Sequence, residues 1–158
     1  VPGAPPGSAV ALQEARRAAM DMLGRREHSV AELREKLLRK GHAETAAQQA
    51  VTRLQQDGLV SDERYAEMLL TARRSRGVGP LRIRQELLEK GVAEELVNQW
   101  LDVSSREWME QIRRVKQKKF GDALPANYAE RARQARFLQY RGFTLDQIQR
   151  VLNADDAD

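Results

Sequence analysis

The sequence predicts an all-α protein made of three tandem three-helix repeats, about nine short helices forming an elongated, curved array. The first observation behind this is self-similarity: KLLRKG at 36–41, ELLEKG at 86–91 and the looser FLQYRG at 137–142 place their glycines 50 and 51 residues apart, a spacing typical of repeat architectures. The second is that apolar residues follow each glycine at matching offsets. Ala47, Val97 and Ile148 come six residues on, then Ala50/Val51, Trp100/Leu101 and Val151/Leu152. The third is that no stretch alternates polar and apolar residues as a strand does. Aromatics make up only 5% of the chain, so Ala, Leu and Val supply the apolar surface, which suits thin helical layers.

Start and stop signals divide each repeat into helices. Residues 1–9 hold three of the five prolines and read as a flexible leader. The first repeat, 10–58, opens with an Ala-rich helix from Ala11 to Leu23, ending near Gly24. Ser29-Val30-Ala31-Glu32 is a capping box, in which the serine and the acid three residues on satisfy free amides at a helix start. Val30, Leu33 and Leu37 form the buried stripe of that second helix, and Gly41 closes it. A third helix runs from about Ala43 to Asp57 before Gly58.

The second repeat, 59–103, opens at Ser61-Asp62 with Tyr65, Met68, Leu69 and Ala72 facing inward. It breaks at Gly77-Val78-Gly79 and restarts at Pro80, whose fixed φ suits a first helical position. Ile83, Leu87 and Leu88 carry the core there, and a helix from about Ala93 to Asp102 follows Gly91. In the third repeat, 104–153, Ser104 or Ser105 caps a helix with the stripe Trp108, Ile112 and Val115. Gly121 and Pro125 precede a helix ending at Arg141, and Thr144-Leu145-Asp146-Gln147 repeats the capping-box pattern for a last helix to about Asn153. Residues 154–158 form an acidic tail.

Composition excludes much chemistry. With no cysteine there is no disulfide framework, thiolate metal site or cysteine nucleophile, and a reducing cytoplasm is the expected compartment. No run approaches the apolar length of a membrane span. His28 and His42 lie in inter-helix turns without metal-ligand spacing, and turn or capping roles outweigh a metal site. Gly77-Val78-Gly79-Pro80 lacks the lysine and hydroxyl of a phosphate loop and is a helix break. Asp155, Asp156 and Asp158 lack the glycine and distal glutamate of a calcium loop. The pairs Glu94/Glu95 and Asp62/Glu63 sit where helix dipoles already account for them. No nucleophile and base can be paired, so the chain reads as a binder and not an enzyme.

Charge is distributed in blocks. The net charge is +4, but the basic side consists of 21 Arg and 6 Lys, and arginine's planar fork favours phosphate or carboxylate. Arg73, Arg74, Arg76, Arg82 and Arg84 form one block with no acid between them. A second includes Arg113, Arg114, Lys116, Lys118, Lys119, Arg131, Arg133, Arg136 and Arg141. Such blocks attract polyanions or acidic protein, although solvated helix faces have the same composition. Phe137 and Tyr140 share a helical face with Arg133, an arrangement able to stack single-stranded bases, but membership of a core short of aromatics is the stronger expectation. A helix-turn-helix reader is also conceivable, and nothing marks one helix as base-reading.

The strings RREHSVAELREKLLRKG (25–41), DGLVSDERYA (57–66) and GVGPLRIRQELLEKG (77–91), in this order and spacing, resemble the RecX recombination regulators over roughly residues 10–153. The resemblance implies an all-α protein of tandem three-helix repeats that lies in the groove of the RecA–single-stranded-DNA filament. There it would block extension or promote disassembly, lowering recombinase, ATPase and co-protease activity. It implies no cofactor and no catalytic residue. Leu33, Leu37, Gly41, Asp62, Arg64, Tyr65, Ala66, Gly79, Leu87 and Gly91 match as scaffold positions. The two basic blocks are then the expected contacts with RecA or DNA. The competing classes are a nucleic-acid-binding protein that ignores RecA, and a helical scaffold for another acidic protein. A monomer is expected, since no heptad seam is visible.

Overall fold

A computed structural model describes residues 5–153. The first four residues of the expected leader and the acidic tail, with Asp155, Asp156 and Asp158, lie outside them. The described residues form nine α-helices and no strand: α1 (Ala9–Leu23), α2 (Val30–Arg39), α3 (Glu44–Gln56), α4 (Asp62–Ser75), α5 (Pro80–Glu89), α6 (Glu94–Trp100), α7 (Glu107–Phe120), α8 (Tyr128–Arg141) and α9 (Leu145–Asn153).

Local signals set most of these boundaries. The Ser8 hydroxyl accepts from Ala11 N–H to open α1, and Ser29 accepts from Glu32 N–H at 3.1 Å to open α2. At α9 both halves of the capping box form: Gln147 N–H donates to Thr144 Oγ1 at 3.1 Å, and Thr144 N–H to Gln147 Oε1 at 2.9 Å. At the start of α7 one of the two expected serines, Ser105, meets a free amide of the first turn. The N-cap of α7 is Arg106, which makes no side-chain cap bond. Ser104 instead binds Asp102, whose carboxylate competes for its hydroxyl, while Ser105 Oγ accepts from Glu107 N–H at 3.3 Å.

The helices gather into two compact units, and the residues of the middle repeat are shared between them. The first takes the chain up to Met68 with Leu88–Leu96. Its core joins Met22, Leu33, Leu37, Val51, Leu54 and Val60, beside a layer of Ala11, Ala15, Ala46 and Ala50 where α1 meets α3. Leu33 and Leu37 are fully buried as the stripe predicts, while Val30 is half-buried. The start of α2 is held by neighbours distant in sequence. Asp62 Oδ1 accepts from Val30 N–H at 2.8 Å, and Ser29 Oγ donates to Lys90 O at 2.7 Å. Gly91, with φ at 82°, lies so near that a Cβ there would come within 2.6 Å of Ala31 Cβ.

Beside this joint sits a buried charge cluster. The Glu32 side chain is 5% exposed and receives Arg26 Nη1 and Nη2 at 3.1 and 2.6 Å, with Lys90 Nζ at 3.5 Å and Lys36 Nζ at 3.8 Å. Burial pushes its pKa up, but the Arg26 hydrogen bonds and the surrounding cations outweigh this and hold it at about 2. His28, 2% exposed, has Nδ1 3.1 Å from Arg26 O and Nε2 3.0 Å from Lys36 Nζ. A lysine ammonium only donates, so Nε2 accepts and the ring is neutral. Burial accordingly lowers its pKa.

The second unit takes Leu69–Leu87 and the chain from Val97 onward. Ile83, Leu87, Val97, Trp108, Ile112, Leu138, Phe143, Ile148 and Leu152 are buried there, while Leu88, which belongs to the first unit, and Val115 are half-buried. The same kind of joint recurs. Gly79 N–H donates to Arg141 O at 2.6 Å and Leu81 N–H to Gly142 O at 2.9 Å. A Cβ on Gly142 (φ 101°) would lie 2.5 Å from Arg82 Cβ, and one on Gly79 would lie 2.5 Å from the carbonyl carbon of Gly142. Lys116, only 5% exposed, donates to Gly121 O and Ala123 O, both at 2.9 Å, and so satisfies carbonyls just beyond α7.

Gly79→Ala should lower unfolding free energy by roughly 3 kcal/mol, because backbone atoms cannot yield as a side chain can. Gly58→Ala, which meets open space, should cost only about 1 kcal/mol from its positive φ. Urea midpoints of both variants check this. Replacing Lys116 with Met should cost about 2 kcal/mol by stranding two carbonyls, read from the same titration. Stability should also fall on acidification in two stages. His28, with a folded pKa below 6.5, binds its proton more readily when unfolded, so loss begins as pH drops below about 6.5. Glu32, held near 2 against an ordinary 4.5, adds a second loss between pH 4.5 and 2 that Glu32→Gln should abolish.

Candidate polyanion-binding site

All fourteen basic residues singled out from the sequence belong to the second unit, and the structure sorts them by what surrounds them. Six converge. The end of α4 supplies Arg74 and the turn after it Arg76, α7 supplies Arg114, Lys118 and Lys119, and the last residue of α8 is Arg141; together they line a cavity of about 410 Å³ that has no Asp or Glu in its wall. Val115 and Phe137 provide its apolar part.

Two of these guanidinium groups are locked. Arg141 Nη1 donates to Arg76 O at 2.9 Å, and its guanidinium carbon stands 4.9 Å from the centre of the Phe137 ring. Lys119 Nζ is 5.4 Å from the same ring, and Phe120 meets it edge-on at 5.3 Å. Arg74 lies 4.9 Å over the Trp108 ring, with Glu107 Oε2 3.6 Å from its Nη1. Gln111 Nε2 donates to Arg74 O at 2.6 Å, so the carbonyls of Arg74, in the last turn of α4, and of Arg76, just beyond it, both have side-chain donors. Arg76, Arg114 and Lys118 are exposed, and among the described residues no carboxylate pairs with them. The cavity therefore carries uncompensated positive charge, which favours an anionic partner.

The other candidates lie elsewhere. Arg73 forms a bidentate pair with Glu86 at 2.9 and 2.7 Å. Arg82 stacks on Tyr140 at 5.1 Å and donates to its carbonyl at 3.3 Å. Arg84 and Arg113 are half-buried, Lys116 is the internal donor described above, and Arg131 donates to Leu152 O. Arg133 pairs with Glu130 at 3.0 and 2.7 Å and covers Phe120, and Arg136 is exposed outside the cavity. The aromatic pair divides. Phe137 is half-buried with its ring already covered, whereas Tyr140 is 74% exposed and not part of the core. Sequence reasoning missed the supporting residue Gln111 and saw Gly77 only as part of a helix break, where the structure gives it a positive φ. No group of three or more His, Asp or Glu among the described residues is placed to hold a metal ion, and no described helix is long and apolar enough to cross a membrane.

Comparison with known proteins agrees with this architecture. Three family models match in order: the RecX first three-helix domain over residues 15–54, the second over 61–101 and the third over 106–152. The chain is 40% identical over 148 residues to the regulatory protein RecX of Halorhodospira halophila, covering 94% of this chain and 92% of that one. It is 45% identical over 141 residues to the regulatory protein RecX of Ectopseudomonas mendocina, covering 89% and 94%. The crystal structure of RecX from Lactobacillus salivarius superposes with a TM-score of 0.77 over 96% of this chain and all of that one, at 18% identity, and so shares the fold. By these matches the chain belongs to the RecX family of regulatory proteins.

Proposed function

We propose that this protein binds the RecA–single-stranded-DNA filament and restrains RecA. It lowers recombinase, ATPase and co-protease activity by lying in the filament groove, where it blocks extension or promotes disassembly, and so modulates DNA repair and the SOS response. Family membership supports the partner. The observation that carries the reading in this chain is the convergence of two separate basic blocks on one acid-free cavity. A filament of nucleic acid and protein offers such a surface dense negative charge. A second reading draws on the same cavity: a protein that binds nucleic acid without RecA through its arginine-rich faces.

The test is RecA's single-stranded-DNA-dependent ATP hydrolysis while this protein is titrated from far below to equal molar ratio. Inhibition at substoichiometric ratios is expected. The triple variant Arg76→Glu, Arg114→Glu, Lys118→Glu should need about tenfold more protein, a loss of roughly 1.4 kcal/mol, with an unchanged circular dichroism spectrum. These three positions are chosen because they are exposed and unpaired, unlike Arg73, where a glutamate would face Glu86. No inhibition up to equimolar by the folded wild-type protein, with tight binding to bare DNA, would move the assignment to the second reading.

A further inference from the structure

The proposed function leaves open which anion the cavity takes, a phosphate or a carboxylate. We propose that the cavity between the end of α4, the basic face of α7 and the end of α8 is a preorganised phosphoryl site, with Phe137 and Gly77 acting as positioning residues for Arg141. This rests on the proposed function only in sharing the site with it, and it can be tested without RecA.

Three features favour phosphate. Donors enter from three segments, Arg76 from the turn after α4, Arg114 and Lys118 from α7, and Arg141 from the end of α8. A carboxylate presents its lone pairs in one plane, whereas the oxygens of a phosphoryl group point tetrahedrally and accept from several directions at once. The cavity, at about 410 Å³, is concave and at the small end of the range for ligand sites. A protein partner contributes a broad face of some 800 Å², while a thin strand or a short polyphosphate can enter a cleft of this size. Finally, four of the six cations, Arg76, Arg114, Lys118 and Lys119, have neither a carboxylate nor a helix-end carbonyl to satisfy among the described residues.

Arg141 is the best prepared of these donors. Its Nη1 is fixed on Arg76 O at 2.9 Å and its face on Phe137 at 4.9 Å, which leaves Nε and Nη2, one complete edge of the fork, without a partner among the described residues. Gly77 makes this placement possible. A Cβ on it would come within 3.0 Å of Arg141 Nη1 and 3.1 Å of Val115 Cγ2. Holding the guanidinium before the ligand arrives lowers the ordering cost of binding.

The experiment is calorimetric titration of the whole protein alone with three probes at one ionic strength: inorganic tripolyphosphate, a short oligothymidylate, and a glutamate oligomer of matched charge. Both phosphates should bind at least about tenfold more tightly than the glutamate oligomer. The tighter of the two names the source, a free polyphosphate or a strand backbone. Binding of a strand through two phosphates should weaken with salt by roughly 1.4 log units per log unit. Arg114→Lys keeps the charge but removes a fork, and should weaken phosphate binding by roughly threefold or more. Phe137→Leu and Gly77→Ala leave the charge untouched and should do the same by unseating Arg141. Equal affinity for the glutamate oligomer, or wild-type affinity in both Arg114→Lys and Phe137→Leu, would overturn the proposal. Because RecA is absent, that failure would leave inhibition of its ATPase as a separate observation.

Discussion

Two helix-end joints carry this structure. In each, the closing glycine of one repeat's second helix lies against the first turn of the preceding repeat's second helix, so closely that a side chain on the glycine has no room. The orphan carbonyls at the end of one helix meet donors at the start of another: Lys90 O receives Ser29 Oγ in the first unit, and Arg141 O and Gly142 O receive Gly79 and Leu81 in the second. Glycine is required twice over, for its positive φ and for the approach of backbone to backbone. The second joint also builds the site. Arg141 contributes its main-chain carbonyl to the joint and its guanidinium to the end of α4, so the contact that orders the fold also aims a cation into the cavity.

The two units use charge differently. In the first, the chief buried charge is consumed internally: Glu32 gathers Arg26, Lys36 and Lys90 around one carboxylate, while Arg64 meets Glu27 and Arg34 meets Glu44. In the second, acids are placed against Arg73, Arg74 and Arg133, whereas Arg76, Arg114, Lys118 and Lys119 around one cavity have no carboxylate partner among the described residues. A net charge of only +4 therefore conceals a strongly basic surface on one unit.

The fold was legible because its signals are local. Ser29, Thr144 and Gln147 announce helix starts within four residues, and Gly41, Gly91 and Gly142 mark helix ends at constant spacing. The site was half legible. Both blocks were visible as runs of arginine, but their convergence depends on contacts such as Arg141 with Arg76, 65 residues apart. Composition could not tell Lys116, buried and bound to carbonyls, from Arg114, exposed and without an acid partner among the described residues, since helical spacing assigns faces without assigning neighbours. The buried role of Glu32 was hidden likewise, for its capping position already explained it. Tyr140 looked like core in a chain poor in aromatics, yet Arg82 covers it at the surface.

The most direct measurement of the central claim, that the basic cavity of the second unit is the contact surface, is hydrogen–deuterium exchange of this protein free and bound to the RecA–single-stranded-DNA filament. The account predicts slowed exchange in peptides spanning residues 74–77, 114–119 and 137–142. Protection confined to the first unit, for example to α1 and α3, with those three segments unchanged, would contradict it.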